Sequence, residues 1–318
     1  MLKRLIYFSL FALIAGCNNP GGELLFIEPE ETDAFQFPYF LFIPKEVSTD
    51  EKAFVLIEPN NSGFADDDLQ NHIEKAKRTA TIDYYLGNYV ARKLNCPLLV
   101  PVFPRSKTNW KIYTHALDRD VMLQEEQPLK RIDLQLIEMY KHAQNRLKDK
   151  GIPSHDQFLL SGFSASGTFA NRFALLHPGR VRAVAAGGLN GLLMLPENSL
   201  NEEILNYPIG TNDMEAITGK AFQKETFIKT PQFYFMGQLD DNDAVPYDDA
   251  FSQTEREQIF KLLGEQMLPK RWNACSRMYQ DAGVNADIRQ YEGIGHKHPE
   301  EVKEDVVEFF EEVVLTTN

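Results

Sequence analysis

The sequence predicts an α/β fold: a central sheet that is antiparallel at its start and mostly parallel through its centre, with helices flanking it. Three observations carry this. The first strand-like runs follow one another without helical periodicity between them, the later ones alternate with helical stretches, and a turn of small residues joins the run ending at Ser161 directly to a helix.

Taken in order, apolar runs of strand length fall at residues 24–27, 37–43, 53–57, 98–103, 158–161, 181–186, 232–236 and 286–291. They are rich in Phe, Leu, Ile and Val, the composition of buried pleated strands. Helical patterns fall at 69–94, 129–148, 167–176, 255–282 and 299–314. In the third, Phe169, Phe173 and Leu176 recur at spacings of three and four, which turns one apolar stripe toward the sheet. The chain has 318 residues, 43% of them hydrophobic, enough for one large core, and no repeat or long low-complexity linker divides it.

The chemistry is densest around Ser164. Gly162-Phe163-Ser164-Ala165-Ser166-Gly167 follows the apolar run Phe158-Leu159-Leu160 and opens a helix. A serine whose hydroxyl stands clear of a sheet needs small residues two positions before and after it, and Gly162 and Ser166 meet that need. The usual fifth-position glycine is deferred to Gly167. Two further stations repeat the pattern of strand, glycine and polar residue. Gly237 is followed by Asp240, Asp241, Asn242 and Asp243, and Gly293-Ile294-Gly295 by His296, Lys297 and His298. Serine, acid and histidine in that order along the chain are what a nucleophile, its base and the group that orients the base require.

On these residues the chain resembles the α/β-hydrolase superfamily, in particular secreted esterases and polyester depolymerase-like members, over most of its length. The resemblance implies a serine hydrolase without a cofactor. Ser164 would attack an acyl carbon, His296 would take and return the proton, and Asp240, three residues past the glycine ending its strand, would hold the imidazole, with Asp243 as the alternative acid. In this family the catalytic histidine follows a glycine, which favours His296 over His298. The oxyanion hole would take the backbone N–H of Ala165 and a second donor from the Asn60-Asn61 loop, where the family often carries a His-Gly pair; ordinary turn chemistry explains that loop equally well. The superfamily also inserts caps between the strand after the elbow helix and the strand bearing the acid. Residues 190–230, with Leu192 to Leu195, Tyr207 and Ile209, are therefore expected to form a short cap over the site, or else a surface excursion. Trp110 and Tyr113 are expected to line the same side or to pack its rim.

The acid cluster at 240–243 has the oxygen ligands calcium prefers, but counting from Asp240 or Asp241 finds neither the glycine nor the glutamate of an EF-hand loop, and no metal is expected. Two alternatives keep the same residues. The chain can be a serine peptidase, since ester and peptide cleavage share this machinery, or a surface lipoprotein that binds a ligand on the scaffold without catalysis.

At the N-terminus, Lys3 and Arg4 precede an apolar run over 5–15 that is too short to span a bilayer. Ile14-Ala15-Gly16-Cys17 resembles the lipobox of bacterial lipoproteins. That implies a signal peptide over 1–17 with Cys17 as the lipidation site, a tether over 18–22, a single domain over 23–318, and export to the bacterial cell envelope on a lipid anchor. An uncleaved anchor or a soluble secreted form is the alternative. The net charge of −13 argues against nucleic acid, and no polybasic patch attracts anionic lipid, so the membrane link rests on Cys17. Small-molecule or polymeric esters are the expected partners. Cys96 and Cys275 are the other cysteines, and their positions leave pairing open.

Overall fold

The protein is described by a computed structural model over residues 21–60 and 64–316. Cys17 and Asn61 lie outside the described residues. The strands are β1 (Gly22–Ile27), β2 (Tyr39–Pro44), β3 (Leu56–Ile57), β4 (Leu98–Pro101), β5 (Phe158–Phe163), β6 (Val181–Gly187), a small hairpin of β7 (Ser199–Leu200) and β8 (Glu203–Ile204), β9 (Gln232–Gly237) and β10 (Ala286–Tyr291). Apart from the hairpin they form one eight-stranded sheet in the order β1-β2-β4-β3-β5-β6-β9-β10. β2 runs antiparallel to both β1 and β4, and every other pairing is parallel.

Successive residues of these strands feed two apolar layers. Phe40, Phe42, Leu56, Leu159, Ala185, Phe233 and Phe235 face one core, and Leu41, Ile43, Ile57, Leu160, Ala186, Tyr234 and Met236 face the other. Burial on both faces explains why the central strands read as continuous apolar runs rather than alternating ones. The first layer is closed by α1 (Leu69–Thr81), α2 (Leu86–Lys93) and α10 (Glu300–Leu315). The second is closed by α4 (Ile132–Asp149), α5 (Ala165–Leu176), α8 (Gln253–Leu263) and α9 (Trp272–Asp281). Three shorter α-helices are α3 (Arg119–Met122), α6 (Met214–Thr218) and α7 (Lys224–Lys229). In α5, Phe169 and Phe173 are fully buried, each contributing about 1.5–3 kcal/mol of burial. Among the described residues no helix is long and apolar enough to cross a membrane.

Two predicted helices are each split in the structure. The pattern over 69–94 becomes α1 and α2, because Ile82 and Tyr85 both take extended backbone between them. The pattern over 255–282 becomes α8 and α9, broken where Gly264 adopts φ +109 and Pro269 follows. Cys96 and Cys275 are both buried and free, and they belong to opposite apolar layers, so the sheet stands between them.

Candidate active site

The bend after β5 is built by glycine. A Cβ on Gly162 would lie 2.2 Å from the Ser166 carbonyl oxygen, and one on Gly167 would lie 2.4 Å from that of Gly187 at the end of β6. Only hydrogen at both positions lets α5 start this close to the sheet. Ser164 itself sits at φ 62 and ψ −126, a conformation costing about 1–3 kcal/mol. Backbone hydrogen bonds hold it there: its N–H donates to Gly187 O at 2.9 Å, and its carbonyl accepts from Thr168 N–H at 3.0 Å. The fifth-position serine folds inward, its Oγ accepting from Phe163 N–H at 3.0 Å and donating to Phe163 O at 2.9 Å. The N–H of Ala165, in the first turn of α5, has no carbonyl of its own helix to bond.

The acid and histidine turns are clasped to each other where β9 and β10 end. Gln238 N–H donates to Tyr291 O at 2.9 Å and Leu239 N–H to Ile294 O at 2.8 Å. A Cβ on Gly237 would lie 2.3 Å from Ile294 O, so glycine permits that approach. The clasp delivers Asp240, its side chain 1% exposed, to His296: Nδ1 lies 2.9 and 3.1 Å from the two carboxylate oxygens. The imidazole also packs on the Phe163 ring at 4.7 Å. With the carboxylate at Nδ1, the ring proton sits on Nδ1 and Nε2 is left as an acceptor. That acceptor is taken up by the side-chain amide of Asn242, whose Nδ2 donates to Nε2 at 3.2 Å. No hydrogen bond joins Ser164 Oγ to the imidazole in this state, although both line one cavity of about 350 Å³.

Asp243 is placed elsewhere. It is paired with Arg271, whose Nη1 and Nη2 lie 3.1 and 2.5 Å from its oxygens and which is itself fully buried. Asn60 is fully buried, its Oδ1 accepting from Phe103 N–H at 3.1 Å; its side chain ties the loop after β3 to the end of β4 and does not line the cavity. The expected roof also differs. Residues 190–230 contribute nothing to the wall of the Ser164 cavity. Leu193, Leu195 and Ile209 enter the core, Met194 N–H donates to Asn171 of α5 at 2.9 Å, and Tyr279 of α9 donates to Met194 O at 2.8 Å. The apolar residues that read as a lid are spent on the helical layer. Tyr113 is buried under the Arg105 guanidinium and Trp110 is exposed, so neither meets the cavity.

Sequence reasoning missed Glu58, Lys75 and Tyr85 here and weighed His298 only as a rival to His296. Glu58, the first residue after β3, is buried beside the cavity and accepts from Gly87 N–H at 2.5 Å; burial pushes its carboxyl up to about 8. An acid directly past a strand end, where sites of this architecture lie, is the signal that marks it. His298 forms wall, edge-on to Phe163 at 4.7 Å, and burial pushes it down to about 4. Lys75 on α1 and Tyr85 just beyond reach the cavity from a different layer, and no local pattern announces them. Larger grooves exist, such as one of about 670 Å³ lined by Asp118, Asp249 and Glu255, but they hold neither Ser164 nor His296. Among the described residues no three His, Cys, Asp or Glu side chains converge as a metal site.

No protein-family model matches the sequence, and no curated protein is significantly similar to it. Solved structures are similar in shape across almost the whole chain. Poly(aspartic acid) hydrolase-1 from Sphingomonas sp. KT-1 matches with a TM-score of 0.59 at 16% identity, covering 92% of this chain and 98% of that one. A poly(3-hydroxybutyrate) depolymerase from Bordetella parapertussis matches at 0.53 and 17%, covering 91% and 89%. The chain has the α/β-hydrolase fold. An S-formylglutathione hydrolase from Agrobacterium tumefaciens shares this fold too, at a TM-score of 0.52, 12% identity and coverage of 94% and 97%. Within it, the bend at Ser164 and the clasped turns of Asp240 and His296 lie at the carboxyl ends of parallel strands.

Proposed function

We propose that the chain is a serine hydrolase that cleaves carboxylic esters through a covalent acyl-enzyme. The observation that carries the reading is the Asp240 carboxylate on His296 Nδ1, with His296 and Ser164 lining one cavity. When substrate enters, the Asn242 amide leaves Nε2 and the Ser164 hydroxyl takes its place. Oγ attacks the acyl carbon as its proton passes to Nε2, and Asp240 stabilises the imidazolium. The carbonyl electrons move onto oxygen, where Ala165 N–H and a donor from the Asn60-Asn61 loop receive them. Collapse expels the alkoxide, which takes the proton from Nε2. Water, deprotonated by the same nitrogen, then releases the acid and restores Ser164.

The α/β-hydrolase fold and the hydrolase and depolymerase names of similar structures support the reading. A Ser164→Ala variant tests it. It should lose turnover of a short-chain aryl ester and labelling by a fluorophosphonate, and equal rates in variant and wild type would end the proposal. Because one similar structure is named for hydrolysis of poly(aspartic acid), short peptides belong in the same panel. We further propose export and anchoring through a lipid on Cys17, tested by metabolic labelling with a fatty acid, which Cys17→Ser should abolish.

A further inference from the structure

The charge lining the cavity is opposite to that of the whole chain. The protein carries 46 Asp and Glu against 33 Lys and Arg. Among the described residues five lysines are held in ion pairs away from the site: Lys93 with Glu304, Lys141 with Glu138, Lys150 with Glu23, Lys224 with Glu197 and Lys261 with Glu203. At the Ser164 cavity two lysines, Lys75 and Lys297, have no carboxylate within ion-pair distance among the described residues. Lys75 is half-buried and aimed by Tyr85: its Nζ donates to the phenol oxygen at 3.2 Å and lies 4.7 Å from that ring. Lys297 is exposed at the rim, next to His296 in the chain.

The other titratable groups of the wall do not cancel this charge. Glu58 is held protonated by burial near neutral pH and is further occupied by Gly87 N–H, while His298 is held neutral. The remaining wall joins the aromatic rings of Phe163, Tyr84 and Tyr85 to the uncharged Thr79, Asn242 and Ser164 and to His296. Two ammonium groups placed at the wall of one cavity of about 350 Å³, room for about a dozen waters, attract an anionic ligand group although the protein as a whole is acidic.

We propose that Lys75 and Lys297 form a subsite for a carboxylate carried by the substrate a few atoms from its scissile ester. The volume limits the linking chain to a few carbons, and Tyr85 fixes one ammonium so that little side-chain freedom is lost on binding. The inference rests on the ester-hydrolase reading for the reaction, but not for the binding of the anion.

The test therefore has two arms. In the first, succinate is titrated into Ser164→Ala protein by calorimetry at low salt, alone and with Lys75→Met and Lys297→Met added. Binding is expected, weaker by about tenfold or more in the triple variant and at high ionic strength. Absence of binding, or binding unchanged by loss of the lysines, overturns the subsite. In the second, kcat/KM is compared for ethyl butyrate and two acidic esters of similar size, monoethyl succinate and butyryl glycolate, which place the carboxylate on the acyl and alcohol sides. One acidic ester should exceed the neutral one by about tenfold, a ratio that collapses in Lys75→Met/Lys297→Met and is partly restored by Lys75→Arg. A ratio that survives the double variant, or that favours ethyl butyrate in wild type, refutes the proposal. Should succinate bind while no ester is cleaved and no fluorophosphonate label appears, the hydrolase reading falls and the subsite stands.

Discussion

Replacing Glu58 with Gln isolates the energetic cost of one buried acid. In the folded protein its carboxyl is raised from 4.5 to about 8 by burial, only partly opposed by the hydrogen bond from Gly87 and the charge of Lys75. Below the unfolded value both states are protonated and its contribution to stability is fully present. As pH rises toward 8 the unfolded chain gains ionisation that the folded chain cannot match, so stability is lost, and above that value the loss levels off. Between about pH 6 and about pH 8 this amounts to roughly 2 kcal/mol. Gln keeps an acceptor for Gly87 N–H and keeps the volume, but has nothing to ionise. The difference in Tm between Glu58→Gln and wild type should therefore grow by roughly 3–4 °C from about pH 6 to about pH 8, read by differential scanning fluorimetry well above the pI near 5.1. Asp118, also buried and raised to about 8, is present in both proteins and cancels. Parallel melting profiles for the two proteins would show that Glu58 is ionised throughout and would refute the argument.

Three further outcomes are expected. Gly162→Ala puts a methyl 2.2 Å from Ser166 O, so the elbow must shift, and fluorophosphonate labelling of Ser164 should slow by about 100-fold, with unaltered labelling counting against the bend as described. Asp240→Asn should lower kcat by about 10³–10⁴-fold. Asp243→Asn, which strips the buried Arg271 of its partner, should instead cost about 1–3 kcal/mol of stability and leave kcat within about tenfold; the reverse pattern would exchange the roles of the two acids. Asn242→Ala frees His296 Nε2 of a competing donor and should speed labelling by about 2–10-fold, a slower reaction meaning that the amide assists rather than competes.

Much of this architecture was legible because its strands are buried on both faces and so stand out as apolar runs between turn residues. Eight of them fall where the runs predict, and the elbow announces itself through Gly162, Ser166 and Gly167, since steric demand leaves few residues that fit. Helix ends were harder. Apolar spacing continues across residues 82–85, and only the extended backbone there reveals two helices. Asp240 is favoured along the chain only by its distance from Gly237, since Asp243 lies three residues on in the same loop. What distinguishes them is Arg271, which reaches Asp243 from the start of α9. The 190–230 stretch misled because apolar residues in an irregular segment look alike whether they cover a pocket or fill a core; Asn171 and Tyr279 decide between the two by holding the Met194 backbone. Lys75 and Glu58 come to line one cavity only through the packing of α1 and α2 on the sheet, a relation no local pattern encodes.

The two thiols on opposite sides of the sheet turn the folded chain into its own oxidation guard. Burial pushes both up, Cys96 at the wall of a surface cleft to about 12 and Cys275 in the core to about 11, so neither supplies much of the thiolate that disulfide exchange requires. Under the proposed export to an oxidising compartment, both thiols of native molecules stay reduced, whereas a chain that opens exposes both and cross-links. Mixed disulfides would then accumulate only on molecules that had lost the fold, and the rate at which a maleimide captures these cysteines would time that loss.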